Sequence, residues 1–419
     1  MVGIRDIIRK YSLGLDPDPD YAKMEPSHHG GRCADAARTL RGRCAVGRGI
    51  GPPPERGRLM IQSLDIRNFK CFKSLHLPEL ARVNLIGGRN NVGKTSLLEG
   101  VYLFHDRMDG RMFLKQFAWR GVEGVRLDPK YFWAPFFHNF DLDEPIGIKV
   151  KTDEGRCISA EYRFNPQFVL VSPGESGRPV GEGSKAQVST APELQPSHAI
   201  DIRYTSDTNG ETKEHLYVER DRLGIQFEQS PRQPGQAIFL MARGRPSTDE
   251  EAARLSEVVE SKGVAEVEEF LRIISPGIKD LQLSASYGRP TTCCDVGLKR
   301  LVPVAFAGDG LTRLLSIILA MANSQGGIVL IDEIENGIHY SVQKAFWRAL
   351  SEAARRFECQ VIATTHSYEF LRAAHAAFAS LLEPDFRYVR LEQDGSETRA
   401  VTFDNETLGT AIEADLEVR

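Results

Sequence analysis

From Met60 onward the chain alternates between short apolar runs and longer amphipathic stretches. Ile61, Leu64, Ile66 and Phe69 open a strand-like segment, and Leu75–Leu77 and Val83–Ile86 follow it. A loop over 87–94 leads into a helix from Thr95, with Leu97, Leu98, Val101 and Tyr102 on its apolar face. Further strands are predicted at Ile146–Val150, Ile158–Phe164, Ile200–Tyr204 and His215–Val218. Residues 172–197 are dominated by Pro, Gly, Ser, Glu and Lys and are expected to be a disordered loop. One helix is predicted over Glu250–Ile274.

The last third is more regular. A helix at Leu311–Ala322 precedes the strand Ile328–Ile331, and a helix at Ser341–Phe357 precedes the strand Gln360–Thr365. A helix over Tyr368–Leu382 and a hairpin, Arg387–Glu392 with Thr398–Phe403 across Asp394-Gly395, complete it. Such alternation implies a parallel sheet. The first 59 residues break the pattern, with turn-rich pieces such as Asp16–Asp20 and Gly49–Pro54. They read as a flexible N-terminal extension, either part of the native chain or an upstream start that the native protein does not use.

Composition changes this picture little. Apolar residues at 41% and charged residues at 26% are ordinary for a globular protein. No apolar run is long enough to span a bilayer and Arg5, Asp6, Arg9 and Lys10 interrupt any secretory signal, so a cytoplasmic protein is expected. A net charge of −4 argues against coating nucleic acid by bulk attraction, though not against a local basic groove. The seven cysteines form no Cys-x-x-Cys pair and suggest reduced thiols. His28, His29, Cys33 and Cys44 are zinc-ligand types at a spacing that fits no standard finger.

Candidate chemistry concentrates at three strand ends. Gly88-Arg89-Asn90-Asn91-Val92-Gly93-Lys94-Thr95 fits G-x-x-x-x-G-K-[ST], between a predicted strand and a predicted helix. Glycines let backbone N–H groups wrap phosphates, Lys94 supplies charge to the β- and γ-phosphates, and the Thr95 hydroxyl suits Mg²⁺. Ile328–Ile331 ends in Asp332 and Glu333, placed to hold Mg²⁺ and to orient or deprotonate the attacking water. Val361–Thr365 ends in His366, which can hydrogen-bond the γ-phosphate or that water. Gly308-Asp309-Gly310 opens a helix and reads as a second anion site or as an ordinary helix start.

Together these residues resemble ABC-type ATPase heads of the OLD, RecF and SMC kind, within the bacterial AAA-labelled ATPases. The likeness runs from Met60 to Phe403. Ile61–Phe72 resembles the first strand, and Gly88–Glu99, including Ser96, resembles Walker A. Gly308, Asp309, Gly310 and Arg313 look like the signature loop, without its usual serine. Asp332 to His339 looks like Walker B running into a D-loop at Asn336 and Gly337, and Thr364–Ser367 like the switch histidine. Gln116 is a weak candidate for the Q-loop glutamine.

The resemblance implies an α/β P-loop NTPase of the ABC-ATPase-head type, a mixed sheet with flanking helices and an inserted helical and strand lobe. Residues 60–170 would form the first part of the head, 171–300 the lobe and 301–419 the second part. ATP and Mg²⁺ are the implied cofactors. Two heads would pair head to tail as a homodimer or higher oligomer, Gly308–Gly310 of one closing over ATP held by Lys94 of the other. OLD enzymes carry a C-terminal TOPRIM nuclease, for which Asn405–Arg419 is too short. A nuclease would then be a separate effector protein that this chain regulates, in phage defence or DNA processing. The alternative is a RecF-like repair ATPase that binds DNA itself, through basic stretches such as Arg243–Arg245. A GTPase is disfavoured because no Asn-Lys-x-Asp motif is present.

Overall fold

The computed structural model describes residues 60–414, apart from 107–108, 123, 169–196, 209, 220–221, 228–236, 243–245, 382–384 and 396. The expected extension over 1–59, with His28, His29, Cys33 and Cys44, lies outside the described residues, as do nearly all of the expected loop and Arg243–Arg245.

Strands β1 (Ile61–Phe69), β2 (Phe72–Leu77) and β3 (Val83–Gly88) open the described chain. Helices α1 (Lys94–His105), α2 (Met112–Trp119) and the short α3 (Pro129–Phe132) follow. Next come β4 (Ile146–Thr152), β5 (Cys157–Phe168), β6 (Ser197–Ser206), β7 (Gly210–Glu219), β8 (Arg222–Phe227) and β9 (Ala237–Leu240). Helices α4 (Thr248–Glu260) and α5 (Val264–Ile274) precede a small sheet of β10 (Asp280–Ser284), β11 (Thr291–Asp295) and β12 (Val302–Pro303). The remainder alternates: α6 (Asp309–Ala322), β13 (Ile328–Ile331), α7 (Gln343–Arg356), β14 (Gln360–Thr364) and α8 (Tyr368–Phe378). The hairpin β15 (Phe386–Asp394) and β16 (Glu397–Phe403) and helix α9 (Asn405–Glu413) end it.

Six strands form one sheet in the order β16-β15-β3-β14-β13-β9. All its pairings are parallel except that of β15 with β16. The expected hairpin is present, and β15 also docks in parallel beside β3. A second, antiparallel sheet of seven strands runs β2-β1-β4-β5-β6-β7-β8. The division expected at residue 170 falls inside this sheet, because β5 pairs with β6 along most of its length.

Alternation along the central strands decides how these layers stack. Val329 and Ile331 of β13 enter one core with α6, α7 and α8, while Ile328 and Leu330 enter another with α1 and the antiparallel sheet. Val361 and Ala363 against Ile362 repeat the split on β14. A strand buried on both faces must be apolar throughout, which is why Ile328–Ile331 and Val361–Ala363 contain no polar residue. Among the described residues no helix is long and apolar enough to cross a membrane.

The single helix expected over 250–274 is two helices. Ser261-Lys262-Gly263 breaks it, with Lys262 at a φ of 61° and the Lys262 and Gly263 N–H groups turned back onto Val259 and Val258 carbonyls. That closure satisfies the last carbonyls of α4 and redirects the chain.

Gln360, at the start of β14, clasps the two large sheets together. Its buried amide accepts from the Ile61 N–H at 2.9 Å and donates to the Ile61 and Ala81 carbonyls, each at 2.8 Å. Gln360→Leu keeps the volume but strands those buried backbone groups. The substitution should therefore cost roughly 2–4 kcal/mol, read as a lower urea midpoint with an unchanged slope.

Candidate functional site

Strand order brings the site together. Because β14 lies between β3 and β13, the ends of all three open on one edge, where ligands of parallel sheets collect. From β3 the chain turns through Gly88, Asn91 and Gly93 at φ of 130°, 63° and 100°. A Cβ on Gly88 would strike the Leu391 carbonyl oxygen, and one on Gly93 would lie 2.6 Å from the Cys71 sulfur. Both positions therefore need glycine, for space as well as for backbone angle. Arg89, Asn90 and Asn91 form an exposed crest, Val92 is buried beneath it, and Ser96 meets the Cys71 thiol.

Helix α1 begins at Lys94, so its free N–H groups and positive end face this loop. The Lys94 ammonium is buried and donates to the Gly88 and Arg89 carbonyls at 2.7 and 2.9 Å. Burial lowers its pKa, opposed by the charges of Asp332, Glu335 and Glu333. A cavity of about 270 Å³ opens beside the loop, lined by Gly88, Arg89, Asn90, Thr365 and His366.

Asp332 is the hub. Its carboxylate accepts from the Thr364 hydroxyl at 2.6 Å, and both its oxygens lie 3.1 Å from the Thr95 hydroxyl. Thr364 also accepts the Glu333 N–H at 2.8 Å, so one hydroxyl on β14 fixes both acidic residues. Glu333 has a φ of 47°, a left-handed backbone that costs a non-glycine residue energy and recurs at functional sites. One of its carboxylate oxygens accepts from Asn336 Nδ2 at 2.9 Å, and the other stands 3.7 Å from His366 Nε2. The His366 N–H is held by Glu335 at 2.7 Å.

The Gly308–Gly310 segment lies elsewhere, against the D-loop candidate. A Cβ on Gly310 would sit 2.8 Å from the Gly337 carbonyl oxygen, so two glycine backbones touch there. Asp309, Arg313, Asn336 and Gly337 line a second cavity, also of about 270 Å³. Arg313 donates to the Asp332 and Met241 carbonyls at 2.9 and 3.0 Å, tying the start of α6 to the ends of β13 and β9. Gln116 is buried, and its side-chain oxygen takes a hydrogen bond from Lys70 at 2.7 Å.

These residues suit a nucleoside triphosphate with a divalent cation. The glycines leave a cradle that any side chain would fill, a buried ammonium donates to two loop carbonyls, and a buried carboxylate is paired with a hydroxyl of the hard-oxygen class that Mg²⁺ prefers. Thr364 opens the segment that resembles the switch histidine, but its hold on both acidic residues is a role that the sequence does not reveal.

Residues 60–230 match the family model described as "AAA ATPase domain", and residues 241–372 match that described as "AAA domain, putative AbiEii toxin, Type IV TA system". The chain is 22% identical over 377 residues to the ATP/GTP phosphatase of Helicobacter pylori, covering 83% of this chain and 99% of that one. It is 25% identical over 339 residues to the OLD nuclease of Thermus scotoductus, covering 74% of this chain and 59% of the nuclease. The SMC head domain from Thermotoga maritima aligns with 83% of the chain at 13% identity and a TM-score of 0.40.

Burial raises the Asp332 pKa, the Thr364 and Thr95 hydrogen bonds oppose this, and the charges of Glu333 and Glu99 add to it. A carboxyl with a raised folded-state pKa holds its proton more tightly when folded. Stability is thus lost as pH rises from the ordinary carboxylate range through the raised value, and stays lost above it. Without nucleotide or metal, Asp332→Asn should be more stable than wild type at pH 7.5, and the gap should shrink at pH 5. Urea denaturation at the two pH values checks both the sign and its pH dependence.

Proposed function

Starting from the chain being an OLD-like ABC-type ATPase, we propose that it is an ATP-hydrolysing switch that pairs head to tail and regulates a separate effector protein. The observation that carries this reading is the convergence of Lys94, Thr95, Asp332, Glu333 and His366 on one edge of the parallel sheet. In this reading the 88–93 backbone and the start of α1 cradle the phosphates, and Lys94 exchanges its loop carbonyls for phosphate oxygens. Thr95 and Asp332 would hold Mg²⁺, which neutralises charge on the terminal phosphates. Glu333, left one oxygen by Asn336, orients the attacking water and accepts its proton. His366 donates to the terminal phosphate from the opposite side of that water.

Two exposed aromatic residues support the pairing. Phe306 is 82% exposed just before Gly308, and Tyr340 is 75% exposed just after the D-loop candidate. Large apolar side chains left in water beside both loops suit a face that a second copy covers. Gly308–Gly310 of that copy, with Asp309 and the open start of α6, would then complete the phosphate site across the interface. The match to a model described by a toxin system is in keeping with a role in phage defence, the effector being a nuclease or another toxic enzyme.

Glu333→Gln tests the reading. ATP turnover should fall on the order of a hundredfold or more while nucleotide binding persists, and the variant should accumulate as an ATP-bound dimer in size-exclusion chromatography with light scattering. A variant that hydrolyses ATP at the wild-type rate removes Glu333 from the mechanism. One that stays monomeric with bound ATP removes the head-to-tail switch.

A further inference from the structure

Beneath the loop over 88–93 lies a charge cluster that joins Glu99, at the end of the Walker A resemblance, to Lys70 of the β1–β2 turn and to Arg120, which no motif contains. Glu99 is four residues beyond Thr95 on α1, so both side chains share one helix face. Its carboxylate is fully buried and takes three charge-assisted hydrogen bonds. Lys70 Nζ donates at 2.7 Å, Arg120 Nε at 2.8 Å and Arg120 Nη2 at 2.7 Å. Two cations against one carboxylate leave one positive charge in surplus. Lys70 is 15% exposed, is also bonded to Gln116, and rests over the Phe69 and Phe136 rings. Arg120 is 49% exposed. The surplus charge is therefore carried by Arg120, on the side open to water.

Its neighbours hold that charge near the end of β13. Arg120 follows Trp119 at the end of α2. The Trp119 ring stacks on Phe239 of β9 at 4.2 Å and meets Tyr102 of α1 edge-on at 4.7 Å. Strand β9 pairs with β13, whose end carries Asp332, so Arg120 is pinned where α1 and the β13 edge approach each other. Hydrogen bonds to Glu99 raise the Arg120 pKa first, with the charges of Glu99 and Asp332 adding to them. Two N–H groups fixed on Glu99 orient the planar fork and leave its other edge to meet an anion.

We propose that Arg120 contacts the terminal phosphate of a bound nucleoside triphosphate, so that a cation delivered from α2 lets this chain tell ATP from ADP. The proposal rests on the nucleotide-site reading of Lys94, Thr95 and Asp332. A triphosphate brings an additional phosphate charge beside Asp332 and Thr95, and ADP lacks it, so only the triphosphate engages the surplus cation. Arginine is suited to this task because its charge persists when partly buried and its fork matches phosphate oxygens.

Two variants separate recognition from support. Arg120→Gln keeps a donor for Glu99 and removes the charge, while Arg120→Lys keeps the charge. Equilibrium binding of a non-hydrolysable ATP analogue and of ADP, each with Mg²⁺, should show Arg120→Gln weakening the analogue about tenfold or more. ADP binding should move by no more than about twofold, and Arg120→Lys should recover most of the difference. Parallel loss of analogue and ADP affinity, the mark of a residue that only props Glu99, overturns the proposal, and so does no loss of either. A wild type that binds neither nucleotide, with Lys94→Ala indistinguishable from it, overturns the nucleotide-site reading itself and Arg120's role with it.

Discussion

The Asp332 carboxylate is held by hydroxyls from two other elements, Thr95 on α1 and Thr364 at the end of β14. Those three points belong to segments far apart in sequence, and only the order β3-β14-β13 makes them meet. Two consequences follow from one shared anion. The phosphate loop cannot shift relative to the acidic strand end without leaving a buried carboxylate short of donors, which is costly. Glu333 is also placed, since its N–H is held by the same Thr364 hydroxyl that serves Asp332.

The same economy of charge runs along α1. Thr95 faces Asp332, and one turn further Glu99 anchors Lys70 and Arg120. A buried carboxylate is tolerated only with close, well-directed partners, and Glu99 takes three hydrogen bonds from two. The helix carrying the phosphate loop is thereby fixed to the β1–β2 turn through Lys70 and to α2 through Arg120. Movement of the region after α2 would reach Thr95 through ionic contacts rather than through the softer apolar core.

What was legible in the sequence is what local chemistry determines. The loop at 88–95 announces itself because glycines, Lys94 and Thr95 are each demanded by backbone angle, space or charge, and the flanking apolar patterns give the strand and the helix. Val361–Thr365 reads correctly as a buried strand, yet nothing local distinguishes Thr364 from any other strand threonine. Its value comes from lying between two other strands, a non-local fact. Strand β9, only four residues long, is invisible for the same reason, since it becomes a strand by pairing with β13. The break at Ser261–Gly263 escapes notice because the apolar positions on either side remain compatible with one continuous helix, and only the left-handed turn at Lys262 reveals it.

The distribution of satisfied and unsatisfied groups gives the site a direction. On the acidic side most groups already have partners within the chain: Asp332 has Thr95 and Thr364, Glu333 has Asn336, and Arg313 binds two carbonyls. On the cationic side Lys94 donates to two neutral carbonyls, and Arg120 stands half in water beside a carboxylate that Lys70 also meets. An anion rich in oxygen atoms is what corrects both, and it would do so without breaking the hydroxyl clasp on Asp332. Gly308–Gly310 presses on Gly337, next to the Asn336 that holds Glu333. A partner covering the exposed Phe306 and Tyr340 would thus press on the chain of contacts that ends at the Glu333 carboxylate.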